Sequence, residues 1–125
     1  MIVGTGLDLV EVERIGQALE QFPQRFRDRV YTSREVAYCE RYKNRVERYA
    51  SRFAAKEAGM KALGTGWRGG IGWRDLEVVR PPGSRPTLEF HGAAARRAAA
   101  LGVRRVALSL THTATQAMAN VILED

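Results

Sequence analysis

The 125-residue chain falls within the size range of a single domain, and its 45% hydrophobic and 27% charged residues exclude both a disordered chain and one built from long apolar membrane spans. A net charge of +6 points to an anionic partner, which leaves nucleic acid, an acidic protein and a phosphorylated small molecule open. The lone cysteine, Cys39, excludes an internal disulfide and, with no His or second Cys nearby at metal spacing, reads as a partly buried structural thiol.

The chain opens without a basic head or an apolar run, so its start reads as part of the fold and a cytoplasmic location is expected. Residues Ile2 to Leu9 predict a strand with Val3, Thr5, Leu7 and Leu9 on one side and Ile2, Gly4, Gly6 and Asp8 on the other, so the second face is nearly bare backbone leading to one carboxylate. Val12, Ile15 and Leu19 then fall at helical spacing. Phe22, Phe26 and Val30 mark a second helical segment with Pro23 in its first turn. Thr32-Ser33-Arg34-Glu35 is a capping-box pattern that starts another helix.

The longest helix is expected from about Val46 to Leu63, where Ala50, Ala54, Ala58 and Ala62 form a stripe of small side chains suited to close packing on a sheet. Gly64-Thr65-Gly66 stops it, and Trp67 to Gly72 is a glycine-rich connection. Leu76, Val78 and Leu88, Phe90 flank the turn Pro81 to Pro86 as an antiparallel hairpin. A helix from Ala93 to Leu101, ended by Gly102, precedes strands Val106 to Thr111 and Ala117 to Leu123. This order predicts an α+β fold, a single small domain over 1–125 with an antiparallel sheet packed on a long helix.

Glu57 and Lys61 stand four apart and share one helix face, which in the ordinary case is a surface ion pair worth roughly 0.2–0.5 kcal/mol. Asp8 adds a second carboxylate at the end of a strand of glycines and apolar residues, where a buried charge needs a partner. A Lys, an Arg, a role as N-cap near the Val12 helix, or a metal would each serve. Two carboxylates completed by water and phosphate oxygens suit Mg²⁺, so Asp8 and Glu57 are candidate metal ligands. Lys61 would reach another oxygen of the same diphosphate, and Gly64 and Gly66 would let backbone approach it. His112 ends a strand on the side of Val106, Leu108 and Leu110 and by itself reads as a satisfied core or edge histidine. Arg41, Lys43, Arg45, Arg48 and Arg52 read as a solvated helix face. They carry neither interleaved aromatics nor a known motif that would make nucleic-acid binding more than the runner-up.

Three stretches taken together, Ile2 to Ile15, Arg52-Phe53-Ala54-Ala55-Lys56-Glu57-Ala58 and Ser109-Leu110-Thr111-His112-Thr113, resemble the holo-acyl-carrier-protein synthase family in sequence, order and spacing. The resemblance covers essentially the whole chain. It implies the short branch of the 4′-phosphopantetheinyl transferases, a homotrimer with each active site between neighbouring subunits. It also implies transfer of the phosphopantetheine arm of coenzyme A to a serine of an acidic acyl carrier protein, with Mg²⁺ as cofactor and with neither nucleic acid nor membrane as partner. By position, Asp8 and Glu57 match the metal ligands. Lys61 matches a phosphate-contacting lysine, Arg52 and His112 fall in coenzyme-binding stretches, and Arg14 and Arg25 fall on the region that meets the carrier. Glu57 and Lys61 are the candidate catalytic residues. Glu57 is also a candidate acceptor of the serine proton, although a metal-bound carboxylate is a poorer base.

Overall fold

Residues 1–65 and 68–125 are described by the computed structural model of the chain, so the expectations that fell on Gly66 and Trp67 lie outside the described residues. The elements run β1 (Ile2–Glu11), α1 (Val12–Gln21), α2 (Pro23–Val30), α3 (Ser33–Cys39), α4 (Arg45–Leu63), β2 (Leu76–Val79), β3 (Thr87–Phe90), α5 (Gly92–Ala100), β4 (Arg105–His112) and β5 (Gln116–Glu124). Short 3-10 turns over Arg68–Gly70 and Trp73–Asp75 connect α4 to β2. The strands form two antiparallel sheets, β1-β5-β4 and the β2-β3 hairpin. The α+β expectation is met, with the sheet divided in two.

The seam between β1 and α4 explains the glycines of the first strand. Gly4, Gly6, Asp8 and Val10 face inward, and a Cβ on Gly4 or Gly6 would land on the carbonyl oxygen of Ala62 or Ala58 respectively. Ala50, Ala54 and Ala58 are wholly buried, so strand and helix backbones meet with almost no side chain between them. The opposite face of β1 is apolar yet open: Leu7 is 58% exposed, Leu9 53%, and Met118, which pairs with Leu9 across the sheet, 38%.

On its other side α4 meets the hairpin, where a Cβ on Gly59 would come within 2.6 Å of Leu76 Cδ2. An ion pair that the sequence did not announce lies here. Lys56 and Glu35 are both buried, with Nζ 2.6 Å from Oε1. Lys56 also donates to the carbonyls of Leu76 at 2.5 Å and Trp73 at 3.1 Å, and Glu35 accepts from Val78 N–H at 2.8 Å. Every polar atom of the pair therefore has company, which buried charges require. The capping box at Thr32 and Glu35 forms as predicted. Gly64, left-handed with φ 78°, caps α4 by donating its N–H to Met60 and Lys61.

Two local expectations are corrected. The first strand runs on to Glu11, which takes the N-cap position of α1 without a side-chain hydrogen bond; Asp8 stays inside the strand and caps nothing. The arginines before Phe53 are not a uniformly solvated face, because Arg52 is only 4% exposed.

Candidate active site

The contact between β1 and α4 carries Asp8 to the Glu57–Lys61 face of the helix. Asp8 is 8% exposed; its Oδ1 accepts from Lys61 Nζ at 3.0 Å, and the same ammonium donates to the Leu7 carbonyl at 3.0 Å. Lys61 thus pairs with the strand carboxylate, where the sequence suggested its helix neighbour Glu57, because β1 brings a more buried charge within reach. Glu57 is held above its ordinary value, first by burial and then by the charge of Asp8, while Lys61 and Arg14 pull it back. That effect places the two carboxylates, the lysine and the α1 arginine in one electrostatic neighbourhood.

Asp8 Oδ2 is buried and accepts from no amide, hydroxyl or cation, and its carboxyl lies close enough to that of Glu57 for the two to hydrogen-bond when one is protonated. A second carboxylate pushed toward protonation beside an orphaned carboxylate oxygen is a donor set short of one cation. All of its ligand atoms are oxygens, the type that Mg²⁺ takes, so the residues present fit that ion.

A second group of predicted residues gathers elsewhere. Arg52 and His112 line a cleft of about 300 Å³ together with Tyr38, Arg48 and Arg80. The Arg52 guanidinium lies 4.0 Å above the Tyr38 ring, and His112 Nδ1 is 3.2 Å from Glu47 Oε2. Arg52 and Lys61 stand nine residues apart on α4, about two and a half turns, so they project from opposite faces roughly 13 Å apart along the axis. Tyr38, Arg48 and Arg80 were not singled out as site residues by sequence reasoning. They come from α3, α4 and the residue after β2, and no spacing rule joins them; the basic run that includes Arg48 was the one signal, and it did not reach Tyr38 or Arg80.

The remaining predicted positions are scattered. Gly64 is the exposed end of α4. Arg14 is exposed on α1, and Arg25 is exposed on α2 with its guanidinium 5.1 Å above the half-exposed ring of Phe22. A cavity of about 760 Å³ between α1, the start of α4 and the β4–β5 turn is lined in part by Glu11, Glu13, Glu20 and Arg45 and by none of the predicted site residues. Another set of potential metal ligands, Glu77, Glu89 and His91, lies within 4.8 Å on the hairpin. There Arg34 already bridges both carboxylates at 3.3 and 3.7 Å, and Thr32 donates to Glu77 at 2.5 Å, which makes it a satisfied ion-pair network.

Comparison with known proteins agrees across sequence and fold. A family model described as the 4′-phosphopantetheinyl transferase superfamily matches residues 4–117. The chain is 58% identical over 125 residues to the holo-[acyl-carrier-protein] synthase of Koribacter versatilis, covering all of both chains. The synthase of Solibacter usitatus matches to the same identity and extent. Among solved structures, the holo-[acyl-carrier-protein] synthase from Neisseria meningitidis superposes with a TM-score of 0.90 at 33% identity, covering 100% of each chain. That from Bacillus anthracis, in complex with CoA (3′,5′-ADP), gives 0.80 at 34% identity over 98% of this chain and 96% of the other.

Proposed function

Since the chain belongs to the 4′-phosphopantetheinyl transferase superfamily, and within it to the holo-acyl-carrier-protein synthases, we propose that Asp8, Glu57 and Lys61 form the reaction centre of that activity. The reaction moves 4′-phosphopantetheine from coenzyme A to a serine of apo acyl carrier protein and releases adenosine 3′,5′-bisphosphate, in the service of fatty acid biosynthesis. The serine Oγ forms a bond to the β-phosphorus as the bond from that phosphorus to the departing bisphosphate oxygen breaks, and the serine proton passes to a base. Catalysis of such a transfer rests on positioning and charge.

Asp8 and Glu57 would hold Mg²⁺, which when bound would supply positive charge to offset that of the diphosphate. Lys61 places its ammonium on the leaving side. Glu57 stands beside Asp8 at the same centre and is the candidate acceptor of the serine proton, a role that holding Mg²⁺ would weaken. The single observation that carries the reading is the buried Oδ2 of Asp8, accepting from no amide, hydroxyl or cation, beside Glu57 and Lys61.

Coenzyme A carries a diphosphate and a separate phosphate monoester. Two places on opposite faces of α4 suit two such anions: Lys61 with a cation held by Asp8 and Glu57 for the diphosphate, and the Arg52–His112 cleft for the monoester. The separation between them supports a site assembled from two copies of the chain. The open apolar face of Leu7, Leu9 and Met118 supports the homotrimer that would supply the second copy. Residues 1–125 act as one transferase domain in this reading, since β1, α4 and β4 all contribute. Arg14 and Arg25 receive the acidic carrier, so the Michaelis constant for carrier should rise with ionic strength. Among the described residues no helix is long and apolar enough to cross a membrane; a carrier-protein substrate of fatty acid synthesis supports a cytoplasmic reaction.

The test is to incubate the protein with apo carrier, coenzyme A and Mg²⁺ and read the carrier's intact mass. A gain of one phosphopantetheine that is lost with chelator and in Asp8→Ala and Glu57→Ala is expected. A gain that survives both substitutions refutes the metal site, and no gain with several apo carriers refutes the assignment.

A further inference from the structure

The cleft that holds Arg52 contains more positive charge than its surroundings neutralise. Among the described residues, no carboxylate lies within ion-pair distance of Arg48, Arg52 or Arg80. Their common neighbour is instead one phenol. Tyr38, half-buried on α3, accepts from Arg48 Nη1 and from Arg80 Nη1, each at 3.4 Å, and its ring lies under Arg52 at 4.0 Å. The stack continues outward: the Tyr42 ring is 5.1 Å from that of Tyr38, and Arg48 sits 4.1 Å above Tyr42. Arg52 is buried with its Nε unpartnered, so the face of Tyr38 is the contact that fixes its plane.

Three guanidiniums this close repel one another unless something holds them apart and aimed. From this geometry we infer that Tyr38 is a positioning residue for coenzyme A, its hydroxyl and ring holding Arg48, Arg80 and Arg52 as a three-pronged receptor for a phosphate monoester. The inference rests on the transferase reading above and adds to it how the cleft is kept in order, through a residue that itself touches arginines and not the reacting atoms. It also gives Arg48 and Arg80 a share in binding.

The same surroundings make the clamp sensitive to pH. Burial raises the Tyr38 hydroxyl, but hydrogen bonds with Tyr42 and Arg80 and the charges of Arg52 and Arg48 outweigh it and bring the group down to about 8. Arg34 and Arg41 border the adjoining cleft on the α3 side, and His112 faces the group from β4. As pH rises through that value a phenolate forms, which neutralises the arginines from within and competes with the substrate phosphate. Affinity for the monoester therefore falls between pH 7 and pH 9.

The experiment compares wild type with Tyr38→Phe, which keeps the ring and removes the hydroxyl, using coenzyme A and dephospho-coenzyme A as donors. At pH 7 the variant should raise KM for coenzyme A about three- to tenfold, the loss of a charge-assisted hydrogen bond. Its kcat should stay within about twofold and its KM for carrier unchanged, because the hydroxyl acts on binding and not on the reacting atoms. Dephospho-coenzyme A, which lacks the monoester, should be used equally by both proteins. Between pH 7 and 9 wild type should lose affinity for coenzyme A in a step that the variant lacks. An unchanged KM in Tyr38→Phe, an equal loss with both donors, or the same pH step in both proteins overturns the inference while leaving the enzyme assignment intact. No transfer by wild type removes both. If Tyr38→Phe melts early, Arg80→Gln at an exposed position tests the same contact, with the same rise confined to coenzyme A expected and its absence counting against the clamp.

Discussion

Replacing Gly6 by alanine tests whether the seam between β1 and α4 sets the position of Asp8. The added Cβ would fall on the Ala58 carbonyl oxygen and lie 2.8 Å from its carbon and 2.9 Å from the Ala62 nitrogen. Ordinary carbon contacts begin near 3.5 Å, so strand and helix must separate by about 1 Å, and no flexible side chain is there to yield. Overpacking of this kind costs about 1–3 kcal/mol, and contacts with backbone put Gly6→Ala at the upper end. For a chain of this size the melting temperature should fall by roughly 6–15 °C. Asp8 lies two residues along the same face, and a displacement of about 1 Å at a reacting centre is worth roughly a hundredfold in rate. Transfer should therefore drop far more than the folded fraction does, measured well below the variant's melting point beside a circular dichroism melt. Thr5→Ala, whose side chain points outward, is the control and should stay within about 0.5 kcal/mol of wild type. A Gly6→Ala protein that melts within a degree or two of wild type and turns over normally would refute the argument.

Lys56→Met leaves Glu35 buried without its cation and should cost about 3–5 kcal/mol in urea unfolding; the double variant with Glu35→Gln should recover part of that loss. Glu77 behaves differently with pH. Burial raises its carboxyl, but hydrogen bonds from Thr32 and His91 and the charge of Arg34 hold it below its ordinary value overall. A depressed carboxylate contributes stability above its unfolded pKa and loses it as pH falls through the folded one. Glu77→Gln should thus cost about 1 kcal/mol at pH 7, with the gap to wild type closing as pH drops below the usual carboxylate range in denaturant titrations. Cys39 is wholly buried, and burial above all pushes its thiol up to about 12, so a disulfide reagent at pH 8 should leave the native protein unmodified and label one thiol after denaturation.

Local signals were the most legible in the sequence. The alternation along β1, the capping box at Thr32 and the stop at Gly64 depend on neighbours a few residues away, and each is present. The alanine stripe of α4 and the glycines of β1 were readable separately, and their contact accounts for Asp8 reaching Lys61. Less could be read where partners are distant in the chain. Arg52 belongs to a run of charge that looks solvated, and only the arrival of Tyr38 from α3 makes its burial possible. The Lys56–Glu35 pair joins α4 to α3 with the carbonyls of Trp73 and Leu76 completing its shell, a set that no periodicity encodes. Leu7 and Leu9 on the open side of β1 follow no rule of a lone chain, since apolar residues facing water in a row make sense only against another surface.

Among the described residues β1 is an edge strand whose only sheet partner is β5. β1 must therefore wait for the last element in this order before its ladder can close, and Asp8 cannot be fixed beside Glu57 until then. Contacts spanning so much of the chain are slow to form because the loop between them must close first. The helices can gather before then, but the carboxylate pair is completed only once β5 is in place. A nascent chain stalled before Gln116 would hold every predicted site residue and still lack the strand that seats the first of them.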